Sequence, residues 1–187
     1  VRAYRCEGYG DYLFAVSRLE PLKRMDLLLR ALATPAAAGV RCVIGGEGSE
    51  AAALQALSRE LGLERRVTFA GRLDEADLLG HLARCRAVVF PPLDEDYGFV
   101  TVEAFASRKA VITCTDSGGP TELVQDGVNG LVVAGEPGAL GAACARLMAD
   151  AALAERCGAA GAATSAMLSW PATVRRLLSP ESSAAAV

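Results

Sequence analysis

Short, continuously apolar runs alternate along this chain with longer stretches in which apolar residues recur every three or four positions. Runs of the first kind read as strands buried on both faces, and stretches of the second kind as helices with one buried stripe. Strands are expected at Tyr12–Ser17 (YLFAVS), Arg41–Gly45 (RCVIG), Val67–Ala70, Ala87–Phe90 (AVVF), Ala110–Cys114 (AVITC) and Leu131–Val133. Helices are expected at Met25–Ala33, at Glu50–Leu61 with Leu54, Leu57 and Leu61 on one stripe, from Asp74 to about Arg84, and at Gly98–Ser107. A short helix opens at Pro120, and two or three helical pieces run from Gly138 to about Leu178. Local chemistry supports these bounds. Asp74 can cap its helix with Asp77 in the first turn, Pro120 suits a first helical position, and Asp126–Gly130 (DGVNG) has turn composition.

Strands alternating with helices imply right-handed βαβ units. The fold expected is therefore α/β: a doubly wound, Rossmann-like parallel sheet of about six strands with helices on both faces. It forms a single domain over residues 1–178, followed by a disordered tail at 179–187 (SPESSAAAV). In such sheets ligands bind beyond the carboxyl ends of the strands, which directs attention to the loops that follow them.

Composition narrows the field of functions. With 52% hydrophobic and 22% charged residues, 187 residues can bury one full core; only 5% are aromatic, which suits helices on a sheet better than a β-sandwich. The net charge of −3, without a basic block, leaves no footprint for nucleic acid. No run of about 18 apolar residues signals a membrane span, and the polar start VRAYRCEGYG does not read as a signal peptide. Six cysteines at 6, 42, 85, 114, 144 and 157 form no C-x-x-C pair. Cys42, Cys85, Cys114 and Cys144 lie in or beside apolar segments, so they read as small buried hydrophobes in a reducing cytoplasm. With a single histidine and no Cys/His cluster, no metal site is expected. His81 reads as a surface or partly packed side chain, and Trp170 as a packing residue.

Four loops hold residues that a core does not need. In Ser17–Lys23 (SRLEPLK), Arg18 and Lys23 can clamp a diphosphate, or they can be ordinary surface charge. In Gly45–Ser49 (GGEGS), Gly46 and Gly48 can bring amides to a ligand, or simply make a tight connection. In Asp116–Glu122 (DSGGPTE), Gly118 and Gly119 lead into Pro120 as an anion or hydroxyl site, with a structural turn as competitor. The most informative is Pro91–Glu103 (PPLDEDYGFVTVE). Gly98 starts a helix whose first amides attract anions. Glu103 lies one turn in, where a carboxylate can accept two ribose hydroxyls. Glu95 precedes the helix and reaches the far side of the phosphates. Carboxylate, phosphate cradle and carboxylate match the order sugar, diphosphate, ribose. A capped helix with a solvated acidic loop would explain Asp94–Asp96, but not Glu103 in the apolar VTVEAFA.

Taken in order, SRLEPLK, GGEGS, RVTFAGRL, PPLDEDYGFVTVEAFA, AVITCTDSGGPTELV and DGVNGLVV resemble the donor-binding C-terminal domain of retaining glycosyltransferases of the two-Rossmann-domain (GT-B, glycosyl transferase group 1) type. The resemblance runs from about Tyr12 to Leu178. Its carboxylate pair, separated by seven residues, falls on Glu95 and Glu103. It implies that Arg18 and Lys23 bind the donor diphosphate, that Glu95 contacts donor-sugar hydroxyls, and that Glu103 holds the ribose. It further implies that amides of Gly98, Phe99 and Val100 face the distal phosphate and that Val67 and Thr68 contact the base. Such enzymes take a UDP-, GDP- or ADP-sugar as substrate and need no further cofactor or metal.

The resemblance also marks departures. Arg24 stands where family members often have glycine, Ser49 where they often have proline, and Arg108 near another customary glycine. An N-terminal acceptor-binding domain of similar size is missing as a partner. The isolated chain is therefore expected to bind nucleotide-sugar without transferring the sugar. The expected location is cytoplasmic, with the inner face of the membrane left open for a full enzyme. The alternatives are a non-catalytic nucleotide-sugar-binding module or a sugar-nucleotide epimerase-like enzyme. A dinucleotide-dependent oxidoreductase is disfavoured by the lack of G-x-G-x-x-G after the first strand.

Overall fold

Side chains alternate across a strand, so a run that is apolar at every position presents two greasy faces and must be covered twice. The computed structural model, which describes residues 4–168 and Val174, does this. Strands β1 (Leu13–Val16), β2 (Cys42–Gly45), β3 (Val67–Gly71), β4 (Ala87–Val89), β5 (Ala110–Cys114) and β6 (Gly130–Val133) form one all-parallel sheet in the order β3-β2-β1-β4-β5-β6. Leu13 pairs with Cys42 on one side and Ala87 on the other, which sets β1 at the centre. Among the described residues seven helices connect and cover the strands: α1 (Met25–Leu32), α2 (Ala51–Glu60), α3 (Glu75–Arg84), α4 (Phe99–Ala106), α5 (Pro120–Leu123), α6 (Pro137–Ala149) and α7 (Ala151–Met167).

The two faces form two cores. Leu13, Ala15, Ile44, Val89 and Ile112 point one way, against Leu28 and Leu32 of α1, Leu54 of α2, Leu140 and Leu147 of α6, and Leu153 of α7. Phe14, Val88 and Val111 point the other way, against Leu82 of α3 and Ala104 and Phe105 of α4. Asp150 separates α6 from α7 by capping the latter, accepting a 2.8 Å hydrogen bond from Leu153 N–H. Asp74 likewise accepts from Asp77 N–H at 2.8 Å, the cap expected for α3. α7 continues far enough to lay Gly161 on the Phe105 ring, with no room there for a methyl group. Two 3-10 turns, Pro21–Lys23 and Pro35–Ala37, are additions that the periodicity did not reveal.

Residues ahead of β1 are fastened to the sheet rather than trailing from it. Glu7 and Gly10 donate from their amides to Ala83 and Arg84 carbonyls at 2.9 Å each, and the Tyr9 hydroxyl donates to the Arg108 carbonyl at 2.8 Å. Lys109 is fully buried at the start of this strap. Its ammonium donates to the Gly8 carbonyl and sits 4.3 Å from the centroid of the Tyr9 ring, compensations that a buried charge requires. Burial is also the main cause that pushes the Tyr9 phenol up to about 12.

Cys42, Cys85, Cys114, Cys144 and Cys157 are buried and Cys6 half-buried, all as free thiols. Desolvation pushes Cys85 and Cys144 up to about 12, so they behave as small hydrophobes. His81 is half-buried, stacked on Phe14 at 4.9 Å with its Nδ1 3.2 Å from the Tyr12 hydroxyl, and burial pushes its imidazole down. Among the described residues no helix is long and apolar enough to cross a membrane. Trp170, the end of the domain expected near residue 178 and the tail from Ser179 lie outside the described residues.

Replacing Phe105 with alanine empties the contact between α4 and α7 and is expected to lower stability by about 3–5 kcal/mol. Phe99→Ala, on the same helix but 73% exposed, should stay within about 0.5 kcal/mol of the parent. Urea denaturation of both variants checks the pair.

Candidate functional site

Strand order reverses between β1 and β4: the chain proceeds outward from β1 through β2 to β3, then returns to the centre for β4 and runs outward the other way. Loops leaving the carboxyl ends of β1 and β4 therefore diverge and leave a crevice between them. The loop after β1 carries Arg18 and Lys23, and the loop after β4 carries Glu95 and the start of α4.

Main chain lies directly on main chain in the walls of this crevice. Ser17 N–H donates to the Gly45 carbonyl at 3.2 Å, Leu19 N–H to Glu47 at 2.9 Å, and Glu50 N–H to Leu19 at 2.9 Å. At Gly46, with φ 125°, a Cβ would overlap the Ser17 carbonyl oxygen, and one at Gly48 would overlap that of Leu19. Tight connection alone thus requires Gly46 and Gly48. Gly46 in addition lines a cleft of about 220 Å³ together with Ser17, Arg18, Glu47, Arg72 and Leu73.

The same device seats the acidic loop. Asp94 and Glu95 amides donate to Asp116 and Ser117 carbonyls at 3.0 Å each, and Gly119 N–H donates to the Glu95 carbonyl at 2.7 Å. Glu95 and Gly118 make a parallel bridge, and a Cβ on Gly118 would come within 2.9 Å of the Glu95 nitrogen. The Ser117 hydroxyl adds a 2.8 Å bond to the Pro92 carbonyl. Gly98 follows in left-handed backbone (φ 74°) as the N-cap of α4, wedged against Pro120 and Phe90. The first amides of α4, at Phe99 and Val100, have no carbonyl within the helix to bond and carry the positive end of its dipole.

Across the crevice the Lys23 ammonium donates to the Glu95 carboxylate, with both side chains largely shielded at 17% and 22% exposure. Lys23 also sits 6.0 Å from the centroid of the Phe90 ring. Arg18 is exposed beside the cleft. Glu103, half-buried one turn into α4, accepts a 3.0 Å hydrogen bond from the Tyr4 hydroxyl.

Arg24 has the densest set of contacts here. Its backbone is left-handed (φ 49°), where a side chain costs about 1–2 kcal/mol relative to the right-handed form. Arg108, the other arginine near a customary glycine, is left-handed as well (φ 57°). The Arg24 guanidinium donates to the Pro91 carbonyl at 2.8 Å, to the Pro92 carbonyl at 2.7 Å and bidentately to Asp116 at 2.8 and 2.6 Å. Hydrogen bonds to a charged group contribute about 1.5–3 kcal/mol each, so these contacts outweigh the backbone cost. The Arg24 fork holds the Asp116 carboxyl below its ordinary range, and Asp116 in turn raises the guanidinium. Ser49, where proline is customary, instead donates from its hydroxyl to Glu20 at 2.9 Å.

Of the residues singled out in the sequence, Arg18, Lys23, Gly46, Gly48, Glu95, Gly98, Phe99, Val100, Gly118 and Gly119 gather at the carboxyl edge, with Glu103 one turn behind. Val67 and Thr68 do not. They open β3, paired with Cys42 and Val43 at the amino edge, and at about 3.3 Å per residue they start about 13 Å short of the carboxyl end. The residues that β3 does deliver to the cleft are Arg72 and Leu73, which the sequence reading missed. Arg24 and Asp116 were visible only as an arginine in place of glycine and an acid in a glycine turn. No three His, Cys, Asp or Glu side chains gather as metal ligands among the described residues.

Known proteins share this architecture. D-inositol 3-phosphate glycosyltransferase of Frankia alni is 33% identical over 181 residues, which cover 90% of this chain and 44% of that protein. The protein of the same name in Nocardia farcinica is 34% identical over 179 residues, covering 90% and 40%. This chain thus spans less than half the length of these relatives. HepE of Anabaena, in a crystal structure with UDP and glucose, superposes with a TM-score of 0.78 at 28% identity over 90% of this chain and 46% of that one. The C-terminal domain of the group 1 glycosyl transferase LpcC from Francisella tularensis shares the fold, with a TM-score of 0.73 at 21% identity over 89% of this chain and 95% of that one. The family model described as glycosyl transferases group 1 matches residues 7–164, and this chain belongs to that family.

Proposed function

We propose that this chain is the donor-binding half of a retaining glycosyltransferase and holds a nucleotide-diphosphate sugar at the carboxyl edge of its sheet. One observation carries the reading: Lys23 and Glu95 come from loops on opposite sides of the crevice and meet beside the free N-terminus of α4. A cation, a carboxylate and a row of unbonded amides are the groups a sugar diphosphate needs.

Each residue then has a task. Arg18 and Lys23 neutralise the diphosphate, with Lys23 exchanging its bond to Glu95 for one to phosphate. Amides at Gly98, Phe99 and Val100 face the distal phosphate, Glu103 takes the ribose hydroxyls, and Glu95 takes hydroxyls of the sugar. The base occupies the cleft beside Arg72 and Leu73. In the transfer, the bond between the anomeric carbon and the phosphate oxygen breaks, and its electron pair leaves with the nucleoside diphosphate. The acceptor oxygen bonds the anomeric carbon on the same face and gives its proton to the leaving phosphate oxygen. The protein's contribution is fixed positive charge where negative charge develops on the leaving group.

Support comes from HepE, crystallised with UDP and glucose, and from the inositol phosphate glycosyltransferases of Frankia and Nocardia. Because those relatives are more than twice as long, we assign the acceptor site to a segment outside this chain.

Calorimetric titration with UDP, GDP and ADP, each with and without magnesium, tests the donor site. One nucleotide should bind with a Kd of about millimolar or tighter, about 4 kcal/mol or more, regardless of magnesium. Arg18→Ala and Glu103→Ala should each weaken it about tenfold or more. Absence of binding by all three nucleotides would remove the reading. The assignment of the acceptor site is tested separately: this chain, incubated with nucleotide-sugars and inositol phosphate, should show no sugar transfer by mass spectrometry, and detectable product would contradict it.

A further inference from the structure

Three loops of the crevice wall leave different strands, β1, β4 and β5, and one side chain touches all three. Arg24 stands at the end of the first loop, next to Lys23. Its guanidinium takes the carbonyls of Pro91 and Pro92 in the second and the Asp116 carboxylate in the third. Beyond these contacts the second and third loops hold each other by backbone bonds, Asp94 to Asp116, Glu95 to Ser117 and Gly119 to Glu95. Leu93 N–H closes the ring by donating to the Leu22 carbonyl at 2.8 Å. Glu95 therefore hangs from the second and third loops, and the Arg24 fork ties both of them to the first. The geometry is planar and bidentate at Asp116, which a guanidinium satisfies and no other side chain does. Gly135, after β6, packs so closely on this ion pair that a Cβ would lie 2.9 Å from Asp116 Oδ2 and 3.0 Å from Arg24 Nη1, so the fork has little freedom to swing away.

We infer that Arg24 is a positioning residue, which through Asp116 and the two proline carbonyls sets where the Glu95 carboxylate stands opposite Lys23. It touches no ligand itself. The inference rests on the donor-site reading for its functional consequence, since Glu95 is the group assigned to the sugar. Of the nucleotide contacts, Arg18 and Glu103 lie outside the clamp and Lys23 stands next to it. Loss of Arg24 should accordingly weaken the hold on the sugar more than the hold on the nucleotide, a split that general destabilisation would not produce.

The test uses this chain with Arg24→Gly, which accepts the left-handed backbone, and with Asp116→Asn, a milder change should the first variant fold poorly. Hydrogen exchange is followed at the amides of Leu93, Asp94, Glu95 and Gly119, with those of β2 and α3 as internal controls. UDP and UDP-glucose are titrated into each protein. In both variants the four loop amides should exchange at least tenfold faster while the controls hold. The ratio of UDP-glucose to UDP affinity should fall at least fivefold. Unchanged loop exchange in both variants would overturn the inference, and so would equal weakening of UDP and UDP-glucose. If the parent chain binds neither ligand, the donor-site reading fails by itself, and exchange at the four amides alone decides whether Arg24 sets the loop.

Discussion

Close approach of one main chain to another is the constraint on which this crevice depends. The loops after β1 and β2 meet through Gly46 and Gly48, and those after β4 and β5 through Gly118 and Gly119, at separations that leave no space for a Cβ. A loop held by its own backbone bonds has few ways to rearrange, so charged side chains carried on it are presented from a stiff frame. Rigidity bought in this way needs no large residues, which is how a chain with few aromatics can still hold four loops in register.

Within that frame the charges are arranged in complementary pairs. Lys23 meets Glu95 and Arg24 meets Asp116, each pair bridging loops from different strands. The pairs differ in kind. Lysine offers a compact charge on a flexible stem that can exchange partners, whereas arginine offers a planar fork matched to one carboxylate and to carbonyls at fixed angles. Adjacent positions in the sequence thus supply one cation suited to a ligand and one suited to the scaffold. The separation was only half legible in the string LKRMD, where Lys23 fell on a diphosphate-binding position and Arg24 on a customary glycine, with nothing to say what its guanidinium holds.

Much of the architecture was legible because its causes are local. Continuous apolar runs such as AVITC announced strands covered on both faces, and Asp74 and Pro120 marked helix starts through caps and ring geometry. What escaped had non-local causes. Val67 and Thr68 were placed at the base because they belong to a shared motif, yet strand direction puts them at the opposite edge from Arg72 and Leu73. Buried Lys109 could not be foreseen, since its partners Gly8 and Tyr9 lie about a hundred residues earlier. Nor does a glycine turn disclose that its emptiness is filled by another loop's carbonyl, as at Gly48 and Leu19.

The strap ahead of β1 carries a mechanical consequence. It is anchored at Ala83, Arg84, Arg108 and Lys109, and its Tyr4 hydroxyl grips Glu103 directly. A pull along this segment would reach α4, the helix whose other end lines the crevice, through the Tyr4–Glu103 contact, and the end of α3 through the backbone bonds of Glu7 and Gly10. The segment in front of the domain thus acts as a tendon attached close to the working groups.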